Sequence, residues 1–314
     1  MRRYIVRRLL QTLVLLWLIT VVTFVIIISA PGGPAILYDP NTTAEEMAQM
    51  RKALGLDQPI HVQYWRWLTG VLQGNFGVSY TLGAPVSQLI AERLPPTLLL
   101  SGAALLFAVF TGIPLGVWSA VRRNGFIDHL FTTVSFFGLS MPVFWYGLVL
   151  ILTFSVQLKW LPAGGIVTVG QESVLNLLSH LVLPAVVLGT VHMAEITRYA
   201  RSSMIGVLQQ DYIRTARAKG LRELLVVGKH GLKNALIPLL TVIGLMLPRV
   251  AAGAAITEQV FAWPGMGQLA VRAAFQRDYP TIMGVTLVVS VVVALANLVT
   301  DLIYTLVDPR VRFE

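Results

Sequence analysis

Cysteine is absent from this chain of 314 residues, and charge is scarce. The first absence excludes disulfides, thiolate catalysis and zinc–cysteine sites. The second says more. Only 12% of the residues are Asp, Glu, Lys or Arg, against roughly 25% in a soluble domain. With 55% hydrophobic residues and a mean hydropathy of +0.71, the composition suits lipid as the main solvent. A nucleotide-binding P-loop is also missing. That motif needs Gly-x-x-x-x-Gly-Lys-[Ser/Thr] to wrap backbone amides around phosphates. The one Gly-Lys pair, Gly228-Lys229, is followed by His230 and has Glu223 where the first glycine belongs. The histidines make no metal site either: His180 and His192 stand twelve apart, and His192-Met193-Ala194-Glu195 has the wrong spacing for His-Glu-x-x-His.

What is present is a series of six apolar stretches, at residues 9–30, 98–121, 130–158, 177–196, 235–256 and 282–300. A helix needs roughly 20 apolar residues to cross the hydrocarbon core, so each is long enough or nearly so. The fourth is weakened by His180, His192 and Glu195, and the fifth contains Arg249. Internal prolines (Pro114, Pro142, Pro184, Pro248) do not veto a span, because neighbouring helices can re-satisfy the freed carbonyls. The first stretch follows Arg2, Arg3, Arg7 and Arg8 as a signal peptide would. Its apolar run exceeds the roughly 7–15 residues of a signal h-region, and Pro31 would hinder cleavage, so it is expected as a retained helix.

Lysine and arginine give the orientation. With the N-terminus in the cytosol, sixteen of them fall on the inner side and seven on the outer, with Arg249 inside a span. Both termini are therefore expected in the cytosol. The same asymmetry explains the net charge of +9 as topological and makes nucleic acid a poor partner.

Residues 31–96 form the one sizeable segment outside the spans, on the extracytoplasmic side. Thr43-Ala44-Glu45-Glu46 fits a capping box. It predicts a helix over 44–54 that ends at Gly55. Pro59 can open a second helix through Leu72, carrying Tyr64, Trp65 and Trp67. Those aromatics suit the headgroup level or a small packed cap over the helix ends.

The basic inner segment 198–234 is the most distinctive part of the chain. Residues 196–210 read as a cytosolic extension of the fourth span, and 212–219 as a separate helix of about two turns. Gly220 can take the left-handed conformation that stops it. So short a helix is marginal in water and needs a surface to pack on. A basic loop lying on anionic lipid is the competing reading. Lys229–Asn234 then leads into the fifth span, which Pro238 is expected to open near its start.

Arg214-Thr215-Ala216-Arg217-Ala218-Lys219-Gly220, followed by Asn234-Ala235-Leu236-Ile237-Pro238, resembles the cytoplasmic coupling loop of ABC-transporter permeases in binding-protein-dependent importers, in the variant of the peptide-importing subgroup. Arg214 stands where the general family pattern has an acidic residue, as in that subgroup. Further matches run along nearly the whole chain. They include Leu54-Gly55-Leu56-Asp57-Gln58-Pro59, Arg93-Leu94-Pro95-Pro96-Thr97-Leu98, Gly112-Ile113-Pro114-Leu115-Gly116 and Trp160-Leu161-Pro162. Arg201-Ser202-Ser203-Met204, Trp263-Pro264-Gly265-Met266-Gly267, Arg277-Asp278-Tyr279-Pro280 and Asp308-Pro309-Arg310-Val311-Arg312 continue the set. Together they resemble the first of the two permeases in a dipeptide or oligopeptide (nickel, glutathione) importer.

The resemblance implies an all-α membrane protein of six transmembrane helices. It would have an extracytoplasmic helical insertion after the first (1–30, then 31–96) and a five-helix core (97–314) with a coupling helix between the fourth and fifth spans. It also implies a prokaryotic plasma (inner) membrane, a second homologous permease as heterodimer partner, two ATPase subunits below, an extracytoplasmic solute-binding protein above, and a peptide-like substrate. ATP and Mg would be bound by the ATPases, leaving this chain without a cofactor and without catalysis of its own. The coupling residues are Tyr212, Ile213, Arg214, Thr215, Ala216, Arg217, Ala218, Lys219 and Gly220. From side-chain type, Tyr212, Ile213 and Ala216 are expected to pack against an ATPase, and Arg214, Arg217 and Lys219 to meet its acidic groups.

Ionisable groups near the bilayer interior are functional candidates by default; here they are Glu195, Arg249 and Glu258. Glu258 falls where the family usually has a glutamate, which suggests a gate or docking contact. Arg249 departs from the small apolar residue expected there. Nine residues separate it from Glu258, which at about 100° per residue puts them on opposite sides of a regular helix. Arg249 either faces the translocation path or makes an interhelical ion pair or a snorkelling contact, the last two being simpler. Gly138-Leu139-Ser140 reads as a small-residue helix contact rather than part of an intramembrane protease. An ion-coupled secondary transporter would need carboxylates at mid-span, and an intramembrane enzyme would need dyads; the spans show only Glu195, near one end.

Overall fold

The computed structural model describes residues 2–30, 33–34, 43–251 and 255–307. The tail motif at 308–312, the first part of the outer segment and the point 252–254 of the fifth stretch lie outside the described residues. Among the described residues thirteen α-helices follow one another: α1 Arg2–Ser29, α2 Ala44–Ala53, α3 Ile60–Leu72, α4 Val86–Val121, α5 Phe126–Ser140, α6 Val143–Leu150, α7 Val174–Leu208, α8 Asp211–Ala218, α9 Glu223–Leu225, α10 Lys233–Ala251, α11 Ala255–Val260, α12 Met266–Phe275 and α13 Tyr279–Val307. Among these no strand forms; Val78 and Pro85 make one isolated antiparallel bridge. The fold is all-α.

Among the described residues four helices, α1, α4, α7 and α13, are long and apolar enough to cross a membrane. A fifth candidate is a bent pair, 223–236 with 238–250, that turns by 48° at Pro238. Pro238 thus lies inside α10 rather than opening it, and the bend sits where its ring removes a helical hydrogen bond. The third apolar stretch, 130–158, is not one helix. Met141 leaves the helical region with ψ 132°, and α6 starts only after Pro142. A residue before proline is pushed toward the extended region, and this break is that effect. α6 then loosens into a π-helical turn, Ile151–Gln157. The second span begins well before residue 98, because α4 carries Pro95 and Pro96 within it.

Two compact units divide the chain. The first comprises Met1–Thr97 and Pro264–Ala294. Here the capping box is present in full: the Thr43 hydroxyl accepts from the Glu46 amide, and the Glu46 carboxylate accepts from the Thr43 amide at 2.8 Å. Gly55, with φ +68°, follows the end of α2. Tyr64 of α3 is buried edge-on against Phe24 and shares a 3.0 Å hydrogen bond with Thr20, whereas Trp65 is exposed. Tyr64 therefore acts as a packing residue. Asp278 anchors the turn before α4: its buried carboxylate accepts from Ser79 Oγ, the Tyr80 amide (3.0 Å), Thr81 Oγ1 (3.0 Å) and Thr281 Oγ1 (2.9 Å).

The second unit comprises Leu98–Trp263 and Leu295–Glu314. Its centre is α7. Glycines bring neighbouring helices against it: a Cβ at Gly116 would stand 2.5 Å from both Ala200 Cβ and the Thr197 carbonyl, and one at Gly138 would stand 2.9 Å from Thr190 Cγ2. Gly138 is thus a helix contact. On another side, Met193 and Ile196 of α7 pack with Ala108 and with Met246 of α10.

Candidate coupling site

α7 does not stop where its apolar stretch ends. It runs unbroken to Leu208, and after Gln209 and Gln210 the chain turns into α8. α8 has eight residues and no side-chain cap at Gln210. Asp211 in its first turn and Arg217 in its last both complement the helix dipole. Gly220, at φ +76° with open space around it, lets the chain leave.

The two faces of α8 differ sharply. Ile213 and Ala216, three residues apart, are buried against Val226 and Leu208 of the same chain. That internal platform is what an isolated two-turn helix lacks. It also corrects the expectation that Ile213 and Ala216 pack on a partner: they are already covered. The outer face keeps Tyr212, Arg214, Thr215, Arg217, Ala218 and Lys219 exposed. Tyr212 is oriented by Asn234, whose Nδ2 donates to the phenol oxygen at 3.1 Å and to the His230 carbonyl at 2.9 Å.

Two of the basic residues have partners at home. Arg217 holds Glu223 by paired hydrogen bonds of 2.6 and 3.2 Å, and these keep the Glu223 carboxyl below its usual range. Arg214 makes an exposed 3.3 Å contact with Asp211. Beside them, Leu221, Leu224 and Leu225 are exposed; Leu224 is 87% accessible. Three leucines in five residues of a basic, polar loop are the sequence signal of this patch.

Farther along α7, Arg201 grips Asp128 of α5, which also accepts from Ser119 and from the Asn124 amide. Among the pathway candidates, Glu195 and Arg249 come together. Arg249 Nη1 lies 3.6 Å from Glu195 Oε2. Glu258 is fully buried, which leaves its side chain no exposed surface for docking.

The family model described as "Binding-protein-dependent transport system inner membrane component" matches residues 112–313, and its N-terminal companion matches 1–101. The chain belongs to this family of inner-membrane permeases. The permease is 48% identical, over the full length of both chains, to the oligopeptide transport system permease protein AppB of Bacillus subtilis. It is 47% identical to a putative peptide permease of Brucella suis, with 99% of each chain covered. It is 42% identical to the glutathione transport system permease protein GsiC of Salmonella paratyphi A, over all of both. Its fold is similar to a chain of the MetNI methionine ABC transporter in inward-facing conformations, with a TM-score of 0.57, 20% identity, and coverage of 70% of this chain and 97% of that one.

Proposed function

We propose that this permease forms half of the translocation pathway of an ATP-driven importer for peptides or related small solutes, and that α8 with the loop after it couples it to a separate ATPase. One observation carries the reading. α8 is locked to its own chain by Ile213 and Ala216 while presenting a basic, partly apolar outer face, as a part made to transmit force would. The docking contacts are then Tyr212, Leu221 and Leu224 for packing, and Arg214 and Lys219 for acidic groups. Arg217 chiefly braces α8 against Glu223.

The names of the relatives support a peptide-like cargo. The assembly would contain a second homologous permease, two ATPases that bind ATP and Mg, and an extracytoplasmic solute-binding protein. The sixteen inner and seven outer basic residues support cytoplasmic termini and six crossings, with α5–α6 as the interrupted third.

The chain has no cysteine, so a single introduced thiol is unambiguous. Tyr212→Cys or Leu224→Cys should form a disulfide with a cysteine placed in the groove of the ATPase, and Ile213→Cys should not. Crosslinking through Ile213→Cys with none through Tyr212→Cys or Leu224→Cys would refute this docking face.

A further inference from the structure

Three ionisable side chains meet where α7 and α10 pack, beside the apolar seam of Met193, Ile196 and Met246. Arg249 and Glu195 approach to 3.6 Å, too far for a hydrogen bond. His192, one turn before Glu195, lies in the field of both, and its Nδ1 is buried without a hydrogen-bond partner among the described residues. Glu195 lies within α7 and Arg249 within α10, near the C-terminal end of that helix.

A pair built for stability alone would close. The same helix shows what that looks like: Arg201 meets Asp128 at 2.6 and 2.7 Å. The Arg249 pair stays open, and the Arg249 side chain is 65% exposed; Leu245, one turn earlier, is exposed as well. A cation on an apolar span that faces hydrocarbon is costly, so this face is suited to an aqueous path.

We propose that Arg249 and Glu195 are a binding subsite for a zwitterionic solute, with Arg249 receiving its carboxylate and Glu195 its ammonium group. This rests on the peptide reading above. Without solute the two charges loosely neutralise each other. With solute each exchanges its neighbour for a closer counter-ion.

The test uses the complete complex in proteoliposomes with ATP and three probes: trialanine, its C-terminal amide and its N-acetyl form. Uptake of each is expressed relative to wild type, so that the preference of the shared receptor cancels. Arg249→Gln should lower trialanine uptake about tenfold and change the amide by no more than about twofold. Glu195→Gln should spare only the acetylated probe. Equal losses on all three would overturn the proposal. In a complex that keeps both native residues, Leu245→Cys should react with a water-soluble, charged thiol reagent; a thiol that stays unmodified would also overturn it. A wild-type complex that carries none of the probes would overturn the peptide reading, and this inference with it.

Discussion

Arg201 and Asp128 are joined by two parallel hydrogen bonds, Nε to Oδ1 at 2.6 Å and Nη2 to Oδ2 at 2.7 Å, across 73 residues of sequence. The fork ties the C-terminal part of α7, which leads into α8, to the start of α5. Asp128 is nearly inaccessible and Arg201 only 31% exposed, so removing either charge strands the other. Asp128→Asn or Arg201→Ala should cost on the order of 3 kcal/mol, read as a lower unfolding temperature in detergent. Arg201→Lys should not rescue, because an ammonium cannot make the fork.

The same pair sets an acid limit. The hydrogen bonds from Arg201, then those from Ser119 and the Asn124 amide, hold the Asp128 carboxyl well below its ordinary value of 3.8. A depressed folded-state pKa contributes stability that is present above the unfolded value and is lost as pH falls through the folded one. Stability should therefore decline as pH drops below about 4. Asp128→Asn should start lower and show a shallower decline, measured by thermal unfolding across that range.

Ile213 and Tyr212 are neighbours with opposite exposures, and their substitutions should separate folding from docking. Ile213→Ala leaves a cavity under α8 and should cost about 2–4 kcal/mol, with increased proteolysis of the 209–225 segment. Tyr212→Ala should leave stability within about 0.5 kcal/mol and weaken co-purification of the ATPase. Equal effects on both readouts would contradict the two-faced helix.

Gly116 and Gly102 lie on the same helix and should respond oppositely to alanine. A Cβ at Gly116 would press on the α7 backbone at 2.5 Å, and one at Gly102 meets nothing within 4 Å. Gly116→Ala should destabilise by about 1–3 kcal/mol. Gly102→Ala should gain about 0.5–1 kcal/mol from the helix propensity alone. Thermal unfolding of the two variants checks both.

Much of this architecture was legible in the chain. The Thr43–Glu46 box, the stop at Gly55 and the short helix ended by Gly220 are local matters, set by capping and by positive φ, and they lie where the residues put them. The prolines were not. Pro184 stays inside α7 among the buried side chains of Leu181, Leu183, Ala185 and Val187, while Pro142 breaks its stretch in two. The residue type is the same; packing around it decides. The Asp128–Arg201 fork obeys no spacing rule, so nothing in the sequence marked it. At α8, the apolar pair Ile213 and Ala216 was visible as a stripe, but a stripe does not say whether its cover is a partner or Val226 of the same chain.

In the function proposed, α8 is a mechanical link to a separate motor and the chain transports nothing by itself. The direct measurement is peptide uptake into vesicles holding the purified permease alone, or the permease with its sister subunit, ATPases and receptor. Uptake that requires all partners and ATP, and that fails in the complete complex when Tyr212 and Leu224 are both changed to Asp, is the expected result. Accumulation of peptide by the lone chain, without nucleotide, would contradict it.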